Sequence, residues 1–327
     1  MSFSEIIGHE MPLTVIKRAL ARNALAHAYL FSGDEGIGKR TTALALAAAV
    51  NCRKPGPEGG CGECSACRKA AAHTHPDIHF LQADGAEIKI DQVRQAQADL
   101  ALKPFEGLKK VLIVDGADAL NQAAANAFLK TLEEPPGEAL IILVTSRPAS
   151  LLPTIRSRCQ EVTFRPFSRR MLAGVLEQQR GLALDDALLA ASLAGGSLGR
   201  GLSMDVDAER KVRDESIRFW WSLEAMSSTE VLAAAEKLGK DRERFESLLQ
   251  VGEEWLRDAL VYQATADDRL LVSMEHRDML TKWCERFSLP RMLEDMRRIT
   301  ASRAMLDRRA NVQLVAEDLF FSMAAAA

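Results

Sequence analysis

The sequence predicts an α/β domain built on a parallel sheet, followed by an all-helical region, and two observations carry that prediction. In the first half of the 327 residues, short uninterrupted apolar runs such as 111–114 and 140–144 alternate with helical segments. Strands that lack polar alternation belong in a parallel sheet covered on both faces. After Pro166 the strand signals stop, and helical patterning with little Pro or Gly runs from about 207 to the end.

Each element has its own local reason. Residues 28–32 form an apolar run stopped by Gly33, and an Ala/Leu-rich helix follows from 39 to 50. A second strand lies at 78–81, and Asp91 reads as the N-cap of a helix carrying Val93 and Leu100. The strand 111–114 ends on Asp115, and Asp118 reads as the cap of the next helix, 122–132, which Pro135-Pro136-Gly137 stops. Strands at 140–144 and 162–164 complete the sheet. Helices at 170–180 and 182–193 are broken by Gly195-Gly196. The expected division is 1–166, 167–206 and 207–327, with the last part burying its apolar stripes in a bundle or against other subunits.

Composition narrows the function classes. Apolar residues make up 47% and charged residues 27%, as in ordinary globular proteins. Lys and Arg total 42 against 45 Asp and Glu, a net charge of −3 that offers no bulk attraction to nucleic acid or anionic lipid. Aromatics at 6% are too few for a broad base-stacking platform. The N-terminus has no basic-then-apolar leader, and no apolar stretch reaches the roughly 18 residues of a membrane span. The expectation is a cytoplasmic protein with no membrane partner.

Gly33-Asp34-Glu35-Gly36-Ile37-Gly38-Lys39 fits G-x-x-x-x-G-K between a strand and a helix. In such a P-loop, Gly33, Gly36 and Gly38 let backbone N–H groups wrap phosphate, and Lys39 adds a cation at the helix N-terminus. Two positions depart from the pattern. The hydroxyl that holds Mg²⁺ after the lysine is replaced by Arg40, with Thr41 and Thr42 one and two places late. Asp115 sits where a Mg²⁺-orienting carboxylate belongs, but Gly116 follows it where an active ATPase carries the glutamate that polarises water. Gly33, Gly36, Gly38, Lys39, Thr41 and Asp115 are therefore candidates for a degenerate nucleotide site, and whether ATP and Mg²⁺ bind is left open.

Cys52, Cys61, Cys64 and Cys67 give C-x8-C-x2-C-x2-C. Two short steps and a Pro/Gly-rich loop let four thiolates converge on one tetrahedral ion. Four thiolates leave no open position, so a structural zinc is expected, with an iron–sulfur cluster as the rival. His73, His75 and His79 read as bystanders.

Further motifs carry a resemblance. Ile6-Ile7-Gly8-His9, His27-Ala28-Tyr29-Leu30-Phe31, Asn126-Ala127-Phe128-Leu129-Lys130-Thr131-Leu132-Glu133-Glu134-Pro135, and Ser157-Arg158-Cys159 join the P-loop and the cysteines. Together they resemble the AAA+ clamp-loader subunits. The resemblance implies an AAA+ P-loop domain with a zinc knuckle at 52–67, a helical lid and an all-α collar for oligomerisation. It implies a stator in the clamp loader of DNA polymerase III. Gamma/tau motor subunits and the delta subunit would be its partners, with the sliding clamp and primed DNA met through the assembled complex. By motif position Arg158 is the arginine finger donated to a neighbour's ATP, with Arg156 its rival. Independent catalysis is not expected, because Arg40 and Gly116 are losses relative to the motor subunits. The alternative is an active motor ATPase using Thr41 or Thr42.

In the lid, Gly196-Ser197-Leu198-Gly199-Arg200 resembles the family's Gly-Ser-x-Arg segment with the arginine shifted by one place. Thr145 stands where the family has a polar sensor. Trp220-Trp221, Trp255 and Trp283 read as core or subunit contacts. Arg297-Arg298, Arg303 and Arg308-Arg309 form a basic run, read as a solvated or intersubunit face with DNA contact as the alternative.

Overall fold

The computed structural model describes residues 2–273, 276–308 and 310–324, without the side chain of Arg269. Met1 of the first expected domain, Arg309 of the basic run and residues 325–327 lie outside the described residues. The chain forms two compact units, 1–182 with 194–203, and 183–193 with 204–327. The segment expected as a lid is divided between them.

The first unit opens with α1 (Glu10–Ala21), β1 (Ala28–Ser32), α2 (Lys39–Val50) and α3 (Ser65–Ala71). It continues through β2 (Ile78–Leu81), α4 (Ile90–Ala101), β3 (Val111–Asp115), α5 (Gln122–Glu133), β4 (Leu140–Thr145), α6 (Pro153–Arg156) and β5 (Gln160–Thr163), and reaches α7 (Arg169–Arg180). Five parallel strands lie in the order β2-β3-β4-β1-β5. Every residue of β1 and β4 is buried, which explains why their sequences are apolar without alternation. Pairing of Ser32 with Thr145 and Thr163, and of Asp115 with Val144, brings the C-terminal ends of four strands to one edge.

Three local expectations are corrected. β5 begins at Gln160, because it is an edge strand in which only Val162 is buried. Helix α4 starts one residue before Asp91; Lys89 is its cap position, and the Gln92 side chain accepts the Lys89 N–H at 2.9 Å. Asn121, not Asp118, caps α5, its side-chain oxygen accepting the Ala124 N–H at 2.9 Å.

Buried polar groups hold the loop between α4 and β3. Asp77 is fully buried and accepts N–H groups from Phe105, Glu106 and Gly107 at 2.7, 2.9 and 2.7 Å, with the Lys110 ammonium at 3.1 Å. Burial alone would raise its pKa, but these donors hold the carboxyl well below the usual range. The Asn51 side chain accepts the N–H groups of Leu108 and Lys109. His75 Nδ1 accepts the Asp77 N–H at 3.1 Å.

The second unit contains α8 (Leu184–Leu193), and its remaining helices follow α9 (Leu198–Ser203), which belongs to the first unit. They are α10 (Val206–Leu223), α11 (Ser228–Gly239), α12 (Arg242–Thr265), α13 (Arg277–Arg286), α14 (Leu289–Asp307) and α15 (Val312–Ala324). Trp220, Trp255 and Trp283 are buried in its core with Phe245 and Phe320, and Trp221 packs against it. The Trp220 indole donates to the Leu248 carbonyl at 3.1 Å. Gly252 lets that ring approach, since a Cβ there would lie 2.8 Å from it. The tryptophans are thus core residues.

Burial lowers the pKa of His75 below 6.5, with Lys69 and Lys110 acting in the same direction and Glu106 and Asp77 opposing. Protonation also removes the lone pair that accepts the Asp77 N–H. A depressed histidine pKa means that the unfolded chain binds protons first, so stability is lost as pH falls through 6.5. His75→Asn, which keeps an acceptor, is expected to flatten that loss. Melting curves at about pH 7.5 and about pH 5.5 check this, and an unchanged slope would contradict it.

Candidate functional site

The P-loop is set by three glycines in the left-handed region: Gly33 (φ 140°), Gly36 (φ 72°) and Gly38 (φ 100°), the last being the N-cap of α2. A Cβ on Gly33 would lie 2.4 Å from the Phe164 carbonyl oxygen, so the turn sits directly on the chain leaving β5. Lys39 is 5% exposed and donates to the carbonyls of Gly33 at 2.6 Å and Asp34 at 2.5 Å. Burial lowers its pKa, with Asp34 and Asp115 opposing.

His9 braces the loop from outside. Its Nε2 lies 2.6 Å from the Ile37 carbonyl, and its ring packs edge-on against Phe164 and Phe167. Burial lowers its pKa, and a carbonyl only accepts, so the neutral ring carries its proton on Nε2.

The two departures seen in the sequence meet in space. Arg40 Nη1 lies 3.2 Å from the Asp115 carboxylate. The guanidinium also sits 5.6 Å from the centre of the Phe80 ring, and with the Gln82 amide assigned so that its oxygen faces the guanidinium, that oxygen accepts from it at 2.9 and 3.2 Å. The Thr42 hydroxyl is buried and donates to the Gly38 carbonyl at 2.9 Å, whereas Thr41 is exposed at the pocket. Gly116 adopts a left-handed turn and offers no base. In a Mg²⁺ site the residue after the lysine supplies a hydroxyl and the strand-end carboxylate faces the ion; here that residue is Arg40, and it is paired with the carboxylate. The residues present do not fit such an ion.

Asp118 takes a different partner set. Its carboxylate accepts from the Thr145 hydroxyl at 2.7 Å and from Arg147 at 2.9 Å. Burial works against ionisation, yet these two donors hold its pKa below the usual value.

The lid helix α9 closes directly on the P-loop. The Gly199 N–H donates to the Gly36 carbonyl at 2.8 Å, and a Cβ on Gly199 would lie 3.2 Å from that oxygen. The place expected for an arginine is therefore occupied by a glycine whose backbone contacts the P-loop and where a Cβ would fit only tightly.

Arg158, in the turn between α6 and β5, pairs with Glu133 and donates to the Thr154 carbonyl at 2.9 Å. Arg156 lies 3.5 Å from Glu161. In the second unit, Arg297 lies 3.5 Å from Glu294, Arg298 lies 3.1 Å from Asp295, and Arg303 pairs with Glu253. These three arginines of the run are thus paired with acids of their own unit.

The four cysteine sulfurs lie within 4.8 Å of one another, with Cys52–Cys64 at 3.9 Å and Cys61–Cys67 at 4.0 Å. Backbone N–H groups of Cys61 and Lys54 point at the Cys52 sulfur, and those of Cys64 and Cys67 at the sulfurs of Cys61 and Cys64. Burial opposes ionisation of Cys64, but such N–H groups bring its pKa down to about 6, whereas burial pushes Cys67 up to about 12. Four thiols this close ionise together only around a cation, so the cluster is a fit metal-binding site. The three downstream histidines contribute no atom to it.

Sequence reasoning did not find Phe80, Gln82 or the brace made by His9. The β2–β3 pairing of Leu81 with Val114 places Phe80 and Gln82 beside Asp115, and only register carries that signal.

Residues 8–168 match the family described as DNA polymerase III, delta subunit. DNA polymerase III subunit delta' of Pseudomonas aeruginosa is 43% identical over 178 residues, covering 53% of each chain. Over its first half the chain is similar to the delta prime subunits of DNA polymerase III. Subunit delta' of Bacillus subtilis is 36% identical, covering 51% of this chain and 50% of that one. The chain spans about half the length of these curated relatives. A DNA polymerase III gamma subunit-related protein from Thermotoga maritima shares 19% identity over 96% of this chain and 99% of that one, with a TM-score of 0.43. Among the described residues, no helix is long and apolar enough to cross a membrane.

A Cβ on Gly36 would lie 2.3 Å from the Ser197 hydroxyl oxygen, in a conformation costly for other residues. Gly36→Ala is expected to destabilise the first unit by about 1–3 kcal/mol, read as a lower denaturation midpoint. An unchanged midpoint would show that loop and lid are not packed as described.

Proposed function

We propose that this chain is the stator of the DNA polymerase III clamp loader. It helps gamma/tau and delta partners open a sliding clamp and place it on primed DNA, without turning over ATP itself. The observation that carries the reading is the Arg40–Asp115 ion pair beside Gly116, which closes the place for Mg²⁺ and leaves no base for water. The chain keeps the P-loop, lid and sheet edge of an ATPase while lacking its two reactive groups.

Arg158 is the group offered to a neighbour's ATP. Its planar fork already binds a carboxylate, Glu133, and the pair is partly exposed. Assembly exchanges that carboxylate for a phosphate of the neighbouring site, where the permanent charge stabilises the transition state. Residues 1–166 then serve as the P-loop domain, 167–206 as the lid and 207–327 as the collar, in a complex of the cytoplasm.

The cysteine cluster holds zinc in a structural role. A tetrahedron with Zn–S bonds of about 2.3 Å has sulfur–sulfur edges of about 3.8 Å, close to the 3.9 and 4.0 Å found for two of them. The ion ties the end of α2 to the start of α3, fixing the helix that begins at the P-loop.

In the assembled complex, Arg158→Ala is expected to leave subunit association intact and to lower turnover at the adjoining ATP site by about 10³-fold. DNA-stimulated ATPase measures it, with Arg156→Ala as the contrast of smaller effect. Equal loss in both variants would move the role away from Arg158. Metal analysis is expected to find about one zinc per chain, and Cys61→Ser to lower the first unit's stability by about 2–5 kcal/mol. A fully folded, metal-free chain would remove the zinc.

A further inference from the structure

The pocket beside the P-loop has a volume of about 320 Å³ and is lined in part by Gly38, Lys39, Arg40, Asp115 and Gly199. Its size is in the range of small-molecule sites. The glycines, the start of α2 and Lys39 make its wall attractive to phosphate. In a Mg²⁺-dependent P-loop the cation bridges the hydroxyl after the lysine, the strand-end carboxylate and the phosphate oxygens. Here the residue after the lysine already carries a positive charge to that carboxylate, 3.2 Å away.

The position of that charge is built. The Phe80 ring lies against the guanidinium, and the Gln82 oxygen takes two of its N–H groups. Both come from β2 and its end, so the sheet aims Arg40 at the pocket. A guanidinium binds phosphate through paired N–H groups, stays charged at every physiological pH, and cannot ligate a metal. The Arg40 side chain is 47% exposed and meets Asp115 through one nitrogen, so its remaining N–H groups can face a polyanion while the pair persists. Thr42 cannot take the place of the missing hydroxyl without giving up its bond to Gly38.

We infer that Arg40 replaces the divalent cation, and that this pocket binds a nucleoside polyphosphate in its metal-free form. Bound nucleotide is retained rather than hydrolysed, since Gly116 supplies no base. The inference goes beyond the stator reading, which requires no ligand on this chain. The two fail separately, because the Arg158 experiment reads the neighbour's site and the one below reads this chain's own.

The test is equilibrium binding of ATP to the full chain, in EDTA and in excess Mg²⁺. Wild type is expected to bind at least as tightly in EDTA as in Mg²⁺, and Lys39→Ala to lose at least about tenfold in affinity. Arg40→Thr, which restores a hydroxyl and frees Asp115, is expected to reverse the preference and bind at least about tenfold more weakly in EDTA than in Mg²⁺. Melting curves verify that each variant is folded. Wild-type binding that requires Mg²⁺ overturns the inference. So does absence of ATP binding in both conditions, or a folded Arg40→Thr chain with unaltered metal preference.

Discussion

The register of one parallel sheet governs everything at the site. Pairing Ser32 with Thr145 and Thr163, and Asp115 with Val144, leaves the P-loop turn, the acidic strand end and the polar end of β4 no choice but to share an edge. Parallel strands all deliver their C-terminal ends to the same side, so each side chain needs only its place on its own strand to reach the common pocket. The uninterrupted apolar interior of β1, β3 and β4 is the condition for that register. A slip by one residue would turn buried side chains to the wrong face.

Charge at that edge then decides what the pocket can do. A partly exposed ion pair is worth about 0–1 kcal/mol, too little to count as a stabilising feature. The consequence of Arg40 is chemical rather than energetic: a guanidinium fills the coordination side of Asp115 and has no lone pair to offer a metal. Gly116 removes the base, and Gly199 removes the lid arginine from the P-loop contact. These changes lie on three separate elements and point the same way. A single lost group can be compensated by a neighbour, but the Thr42 hydroxyl is committed to the Gly38 carbonyl.

Local signals were legible in the sequence, and non-local ones were not. The cysteine spacing predicted a cluster because all its ligands lie within sixteen residues of each other in the chain, and the sulfurs do converge. Strands 111–114 and 140–144 were plain because burial on both faces demands apolar runs. β5 escaped at its start because an edge strand can carry Gln160 and Glu161 exposed. Arg40 and Gly116 each stood out as a departure. That Arg40 and Asp115 touch, 75 residues apart, depends on the sheet, as does their company of Phe80 and Gln82. Helix caps misled for a related reason: Asp118 is a good cap by residue type, but Thr145 and Arg147 engage it from β4 and its exit.

On the proposed stator reading, a subunit without its own ATP turnover still has reason to keep the P-loop. Gly33 packs against the carbonyl of Phe164, immediately past β5, with no room for a Cβ between them. The segment carrying Arg158 hangs between β4 and β5, and β1 is hydrogen-bonded to both. Glu133, which holds the guanidinium, ends α5, the helix joining β3 to β4. Disturbing the phosphate loop therefore disturbs the strand that leads away from the proposed finger. An arginine that must meet a phosphate in another subunit has to be placed to within a fraction of an ångström, and a long side chain in a turn gains that precision only from the rigid elements at either end. On this view the P-loop persists as part of the mounting of Arg158, and its glycines remain necessary after the metal-binding hydroxyl has gone.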